Sequence, residues 1–453
     1  MTKILIVGFG ASAYSALMAL KKSRLKTDLT IIDPKNYDLF HPCGLPYSLE
    51  GIIDPQNLAQ SLNLTQLGAK KITGLAQKIK NKTKEILVKD FKTGQDKMLN
   101  YDSLLLATGA IPNLPPIEGV DQFYQKKVFT LTKLDDLLAI KKLLPKSKKV
   151  LVVGGGAIGL ETAVALKKEI PEVKLIEKKS QILSDIIEED LADLVKENLQ
   201  NKGIEIKTNS FLESIEPPKD KKFGLSVHLK HQKNLEIIDF DLVILATGVK
   251  PNLTLAHNSN LASNQNGFLV NEYLQTSDPN IFAVGDNMAN WSVIDNKPLK
   301  NKLATAAYQQ GKIAGSNFFN LSQKYLGSAA TFVSKIGNLE VAGTGYKTTT
   351  ALALGYKPVV GQIKSDIFPE YFPQKEILNF KIIADATTKK ILGAQAIAPQ
   401  GAASRINLIS LALEFKMTLD QLKRLEMAYC PAVSEVDDPL LRSVDFALRR
   451  IKK

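Results

Sequence analysis

Two stretches of the chain repeat one pattern of apolar and polar positions. The apolar run Lys3-Ile4-Leu5-Ile6-Val7 leads into a glycine turn and then a helical spacing that begins near Ser12; a second run, Thr30-Ile31-Ile32, ends on Asp33. The succession returns at Lys149-Val150-Leu151-Val152-Val153, passes through a glycine turn and a helix reaching Ala165, and closes with Val173-Lys174-Leu175-Ile176 before Glu177. Continuous short apolar runs bounded by turn residues read as buried strands. The runs Ser103 to Leu106 and Leu242 to Leu245, each followed by Ala-Thr-Gly, extend the likeness between the two units.

Around them the pattern predicts a helix over 57–66, a basic hairpin-like stretch from Lys70 to Leu99 with turns at Gly74, Asn81 and Gly94, a buried strand over Asn280 to Asp286, and a helix from Lys302 to Phe319. Pro112, Pro115 and Pro116 mark one crossing between domains, and Pro251 marks the other. From Ala330 onward the glycine turns stop; strands such as Glu340 to Ala342 and Ile377 to Ala384 precede helices near Ser404 to Phe415 and Leu419 to Leu425. The expected architecture is α/β: two Rossmann-like dinucleotide-binding domains plus a C-terminal α+β dimerisation domain. Residues 1–115 and 251–325 form the first, interrupted domain, 116–250 the second and 326–453 the third.

The turns themselves are Gly8-x-Gly10-x-x-Ala13 and Gly154-x-Gly156-x-x-Gly159. Glycine lets the backbone turn tightly and approach a pyrophosphate, whose charge rests on the helix N-terminus; the acid at the next strand end bonds a ribose hydroxyl. One such match is weak evidence, whereas two in the same strand–turn–helix context are strong. Glu177 predicts a preference for NADH because a carboxylate repels a 2′-phosphate, while Lys178 and Lys179 leave NADPH possible.

Length and composition agree with this picture. A chain of 453 residues, 44% hydrophobic and 23% charged, has the make-up of a globular protein of about three domains. No run approaches a membrane span and no signal-peptide pattern precedes Lys3, so a cytoplasmic protein is expected. The net charge of +13 arises from dispersed lysines such as Lys21, Lys22, Lys78 and Lys82, a solvated surface rather than a nucleic-acid stripe. The two cysteines, Cys43 and Cys430, build no disulfide framework, and no Cys/His cluster has metal spacing.

Taken with Ala107-Thr108-Gly109, Ala246-Thr247-Gly248 and Val284-Gly285-Asp286 in that order, the sequence resembles the pyridine nucleotide-disulfide oxidoreductases over nearly its whole length. Because it has one cysteine in Phe40-His41-Pro42-Cys43-Gly44-Leu45-Pro46-Tyr47, it resembles the single-cysteine branch: coenzyme A disulfide reductases, NADH oxidases and peroxidases, and sulfur or polysulfide reductases. The resemblance implies FAD in the first domain, a nicotinamide dinucleotide in the second, and a homodimer. The implied cofactor contacts are Gly8, Gly10, Ala11, Ser12, Ala13, Asp33, Pro34, Cys43, Ala107, Thr108, Gly109, Gly285, Asp286 and Ala304, with Gly154, Gly156, Ile158, Gly159, Glu161, Glu177, Lys178, Thr247 and Gly248. Asp33 would hold the FAD ribose, Asp286 its ribityl chain, and Glu161 would sit near the nicotinamide.

The same resemblance gives Cys43 the redox role, as a thiolate expected to be stabilised by the helix that follows it. Tyr371 and Tyr429 would reach the partner's thiol across the dimer, with His41 as a proton donor and Cys430 as a resolving thiol. The reaction implied is transfer of electrons from NAD(P)H through FAD and Cys43 to a small disulfide or polysulfide, of which coenzyme A disulfide is the model. The alternatives are an oxidase or peroxidase acting on oxygen or peroxide, and an electron-transfer flavoprotein of the ferredoxin or rubredoxin reductase kind. The chain departs from the oxidases in having no histidine in Gly10-Ala11-Ser12, and from the family ending in having Ala432 after Pro431.

Overall fold

The structure is a computed structural model that describes residues 1–23, 26–218, 224–232 and 234–451. Its first sheet has seven strands, with Ile281–Ala283 at one edge, then Ser103–Leu106, Thr2–Val7 and Thr27–Asp33 in parallel, then the meander Ala69–Lys80, Glu85–Asp90 and Asp96–Asn100. Ile281–Ala283 joins a sheet begun almost three hundred residues earlier because its apolar side chains complete the same core: Ile281, Phe282 and Ala283 pack with Ile4, Ile6 and Leu105. The interrupted first domain expected from the sequence is therefore present as a sheet.

A second parallel sheet, ordered Val128–Thr130, Leu242–Leu245, Lys149–Val153, Glu172–Ile176, Ile204–Lys207, carries the second glycine turn, with the three-stranded sheet Ser210–Glu216, Leu225–His231 and Asn234–Phe240 beside it. The two crossings meet as a short antiparallel pair, Ala110–Pro112 with Val249–Pro251, so Pro112 and Pro251 lie at the ends of a two-stranded ribbon, and Pro115 and Pro116 follow it. The third unit is an antiparallel five-stranded sheet, Phe332–Ile336, Leu339–Gly345, Ile391–Ala398, Ile377–Asp385 and Pro358–Asp366, covered by the helices Ala402–Glu414 and Pro439–Ile451.

Three local expectations fail. Residues 57–66 are not a helix: a 3-10 turn over Pro55–Leu58, opened by Asp54 accepting from Gln56 N, passes into the short strand Ala59–Gln60. Apolar spacing there serves two different packings rather than one helical face. Gly74 marks no turn but lies inside Ala69–Lys80, where a Cβ would stand 2.3 Å from the Lys89 carbonyl of the neighbouring strand. The final helix Pro439–Ile451 was not anticipated, although its signals are present: Asp438 before Pro439, with Leu440, Val444, Ala447 and Leu448 buried on one face.

Candidate active site

The two glycine turns are built alike to the level of single hydrogen bonds. Phe9 N donates to Asp33 Oδ2 at 2.7 Å, and Lys35 N donates to Asp33 Oδ1 at 2.8 Å. In the second unit Gly155 N donates to Glu177 Oε2 at 2.6 Å and Lys179 N to Glu177 Oε1 at 2.8 Å. Each acid thus fixes the residue after the first glycine and the second residue beyond itself. Gly8 and Gly154 have φ of +86° and +115°, and a Cβ at either would lie 2.4 Å from the carbonyl of Ala107 or Ala246. No side chain fits there.

The other glycines test whether dinucleotides fit. A Cβ at Gly10 or Gly156 would meet nothing within 4 Å, so the backbone at these positions faces open space at a helix start, Ala11–Ser23 or Ala157–Lys167. Open backbone N–H groups at a helix N-terminus are the cradle a pyrophosphate requires. Ala11, Ser12, Ala13, Pro34, Ala107, Thr108, Gly109, Gly285 and Asp286 cluster at the ends of the adjacent strands Thr2–Val7, Thr27–Asp33, Ser103–Leu106 and Ile281–Ala283. Ile158, Gly159, Thr247, Gly248 and the exposed Lys178 cluster likewise around the second sheet, while Ala304 begins the helix Ala304–Asn317.

Asp286 is held in a low-dielectric pocket. Burial pushes its carboxyl up, countered by the Lys302 ammonium, and among the described residues its oxygens accept no hydrogen bond. Lys302 is itself pushed down by burial while donating to the carbonyls of Asn266 and Met288 at 2.8 and 3.0 Å. Next to Asp286, Asn287 donates to Leu106 O and Thr108 Oγ1, both at 3.0 Å, and leaves its Oδ1 buried without a donor. Among the described residues a half-buried carboxylate and a buried amide oxygen both lack donors, which fits a polyhydroxy ligand that brings its own.

Cys43 is exposed in the 3-10 turn Pro42–Gly44, which runs into the helix Leu45–Leu49. Its thiol is pushed up, chiefly by burial and then by the carboxylates of Glu161 and Asp286, with a smaller opposing backbone hydrogen bond. This corrects the expectation of a lowered thiol. A five-residue helix supplies little dipole, and two acids face the sulfur. Tyr47, one helical turn on, is also pushed up by burial and Glu161.

Glu161 stands at the junction of all three units. It lies on Ala157–Lys167, and its Oε1 accepts from Ser334 Oγ on the strand Phe332–Ile336 at 2.5 Å. Burial pushes its carboxyl up and the Ser334 hydroxyl opposes that. No motif in the sequence pointed to Ser334, because a strand serine becomes a site residue only when its sheet is docked.

The remaining site residues lie apart within one chain. Tyr371 and Tyr429 meet each other, hydroxyl to hydroxyl at 2.8 Å, and both are exposed. Tyr429 is pushed up to about 12, first by its hydrogen bond to Tyr371. Cys430 is a free, exposed thiol beside this pair. His41 is exposed; its backbone N–H donates to Leu58 O, and its ring makes no hydrogen bond to Cys43 among the described residues. Among the described residues no group of three or more metal-ligating side chains occurs, and no helix is long and apolar enough to cross a membrane.

Comparison with known proteins matches residues 2–311 to the pyridine nucleotide-disulphide oxidoreductases and residues 332–438 to their dimerisation domain. The chain is 33% identical over 99% of its length to an NADH oxidase of Methanocaldococcus jannaschii, of which it covers 99%. It is 30% identical over 97% of its length to a CoA-dependent NAD(P)H sulfur oxidoreductase of Pyrococcus furiosus, covering 97% of that protein. An NAD-dependent persulfide reductase from A. fulgidus superposes over 100% of this chain and 84% of its own, with a TM-score of 0.92 and 28% identity.

Proposed function

Since the chain belongs to the pyridine nucleotide-disulphide oxidoreductase family, we propose that it is an FAD-dependent NAD(P)H oxidoreductase that reduces a small disulfide or polysulfide at Cys43. The observation that carries this reading is the exposed Cys43 thiol beside Glu161 and Asp286, acids that belong to the two glycine-turn units. FAD would rest on the first turn, with Asp33 at its ribose and Asp286 at its ribityl hydroxyls. The dinucleotide would rest on the second, with Glu177 at its ribose and Glu161 near the nicotinamide. Bound between them, the flavin supplies two-electron chemistry linking a hydride donor to a sulfur.

The protein's own residues then do three things. Cys43, exposed at a turn, attacks the acceptor's sulfur and is left as a mixed disulfide or persulfide. Burial, and then Glu161 and Asp286, disfavour the free thiolate, so the sulfur rests most stably bonded to another sulfur or bearing a proton. Tyr371 and Tyr429, exposed and joined, would face the partner's Cys43 in a homodimer and hydrogen-bond the leaving thiolate; with Tyr429 at about 12, it is a proton-bearing donor across the neutral range. Cys430 is positioned in sequence to resolve the mixed disulfide on the same face. His41, exposed beside the turn, would exchange protons with solvent.

The test is anaerobic: enzyme with NADH, with and without coenzyme A disulfide, followed by NADH absorbance and free thiol. Two thiols released per NADH supports the proposal; reduced flavin without thiol release refutes it for this acceptor. A second reading, an NADH oxidase, draws on the relative of that name. Oxygen consumption in proportion to NADH, without dependence on a disulfide, would favour it.

A further inference from the structure

A cleft of 430 Å³ opens where the turn after the thiol, the helix Ala157–Lys167 and the hairpin beyond Ser334 converge. Its floor is apolar: Val164 and Ile204 line it, and so does Ile52, 62% exposed to solvent. Its rim carries Lys167, Lys202 and Lys335, whose ammonium groups donate to neutral oxygens: the carbonyl of Pro171, the amide of Asn338 at 2.6 Å and the carbonyl of Pro399 at 2.7 Å. Among the described residues none of these three has a carboxylate partner. The two acids that line the cleft are already engaged, Glu50 with Lys168 at 2.8 Å and Glu161 with Ser334.

We propose that this cleft binds a nucleotide-sized organic anion, one with an apolar ring and at least two negative charges. An ammonium has three donors, and each of the three spends one on a neutral oxygen, which leaves donors and charge for a ligand. The floor supplies a surface on which a ring loses water without burying a polar group, and the volume lies in the range of small-molecule sites. A solvated surface lysine would need neither the shared floor nor the concave setting. The cleft reaches the helix of the second glycine turn at Glu161, but its lysine rim lies farther on, Lys167 being about 12 Å along the helix axis from Gly159. Cys43 does not line it. Occupancy would bridge the thiol turn, the dinucleotide helix and the C-terminal sheet, with Glu161 at its inner end.

The experiment uses FAD-loaded, oxidised enzyme saturated with NAD⁺, so that the dinucleotide site is filled, and titrates it with 1-naphthyl phosphate by calorimetry. Binding of one equivalent is expected, at least tenfold weaker in the Lys202→Ala/Lys335→Ala double variant, kept in Lys202→Arg, and weakened by added salt. Absence of binding, affinity unchanged by the alanine variants, or equal affinity for inorganic phosphate or for 1-naphthol would overturn the proposal. Reduction of the flavin by NADH, measured in the same variants, is expected to stay at the wild-type level. Its absence in the wild type would count against the functional reading alone and leave the binding result standing.

Discussion

Ser334 and Glu161 form a hydrogen bond of 2.5 Å between the C-terminal sheet and the helix of the second glycine turn. Burial pushes the Glu161 carboxyl up, and the serine is the donor that opposes that push. In Ser334→Ala the Glu161 carboxyl rises further, so it protonates at higher pH as pH falls. The acid limb of kcat/KM for NADH should move up, with roughly a three- to tenfold loss below it, as expected for a net hydrogen bond of about 1 kcal/mol. A pH profile unchanged from the wild type would remove Ser334 from the site.

Glu161 also acts on the thiol, after burial. Cys43 is pushed up by burial, Glu161 and Asp286, so in the NADH-reduced enzyme its alkylation by iodoacetamide should accelerate with pH along a curve lying alkaline of a free cysteine. Glu161→Gln removes one negative neighbour and should move that curve to lower pH. A shift in the opposite direction would mean that the carboxylate does not act on the sulfur.

The Tyr371–Tyr429 pair predicts coupling. Tyr371→Phe and Tyr429→Phe should each lower disulfide turnover by about tenfold, the scale of a lost charge-assisted hydrogen bond. The double variant should lose little more than the worse single one, because the two hydroxyls act as one unit. Additive losses in steady-state rates would separate them.

Lys381, buried in the C-terminal sheet, pairs with Glu188 and Asp190 of the second unit, both at 2.6 Å. Despite burial, Glu188 and Asp190 are both pushed down, each by the hydrogen bond from Lys381 with smaller help. Their stabilisation is therefore present above the ordinary carboxylate range and lost as pH falls through the lowered values. Lys381→Met should cost about 2–3 kcal/mol near pH 7, below the usual figure for a fully buried pair because Asp190 is half exposed, and less near pH 4. Denaturant titrations at the two pH values measure the difference.

Glu177 accepts two backbone N–H groups and stands beside the exposed Lys178. Glu177→Ala should reduce the preference for NADH over NADPH by about tenfold, since it removes a ribose acceptor and the charge that repels a phosphate. The ratio of kcat/KM for the two cofactors reads it directly.

What the sequence determined by itself is local and repeated. The glycine turns, the strand-end acids Asp33 and Glu177, and the parallel strands all follow from short spacings whose geometry neighbouring residues impose, which is why both units share one pattern, with Ala13 where the second has Gly159. The return of Ile281–Ala283 was legible for the same reason, as an apolar strand in need of a sheet. Tertiary structure alone decided what depends on residues distant in the chain. The upward push on the Cys43 thiol comes first from burial and then from Glu161 and Asp286, more than a hundred residues away, none of which the short helix beside it announces. Ser334 reaches Glu161 only because one sheet docks on another unit's helix. The 57–66 stretch lost its helical spacing to packing on two sides, for a pattern records which residues are buried but not which surface buries them.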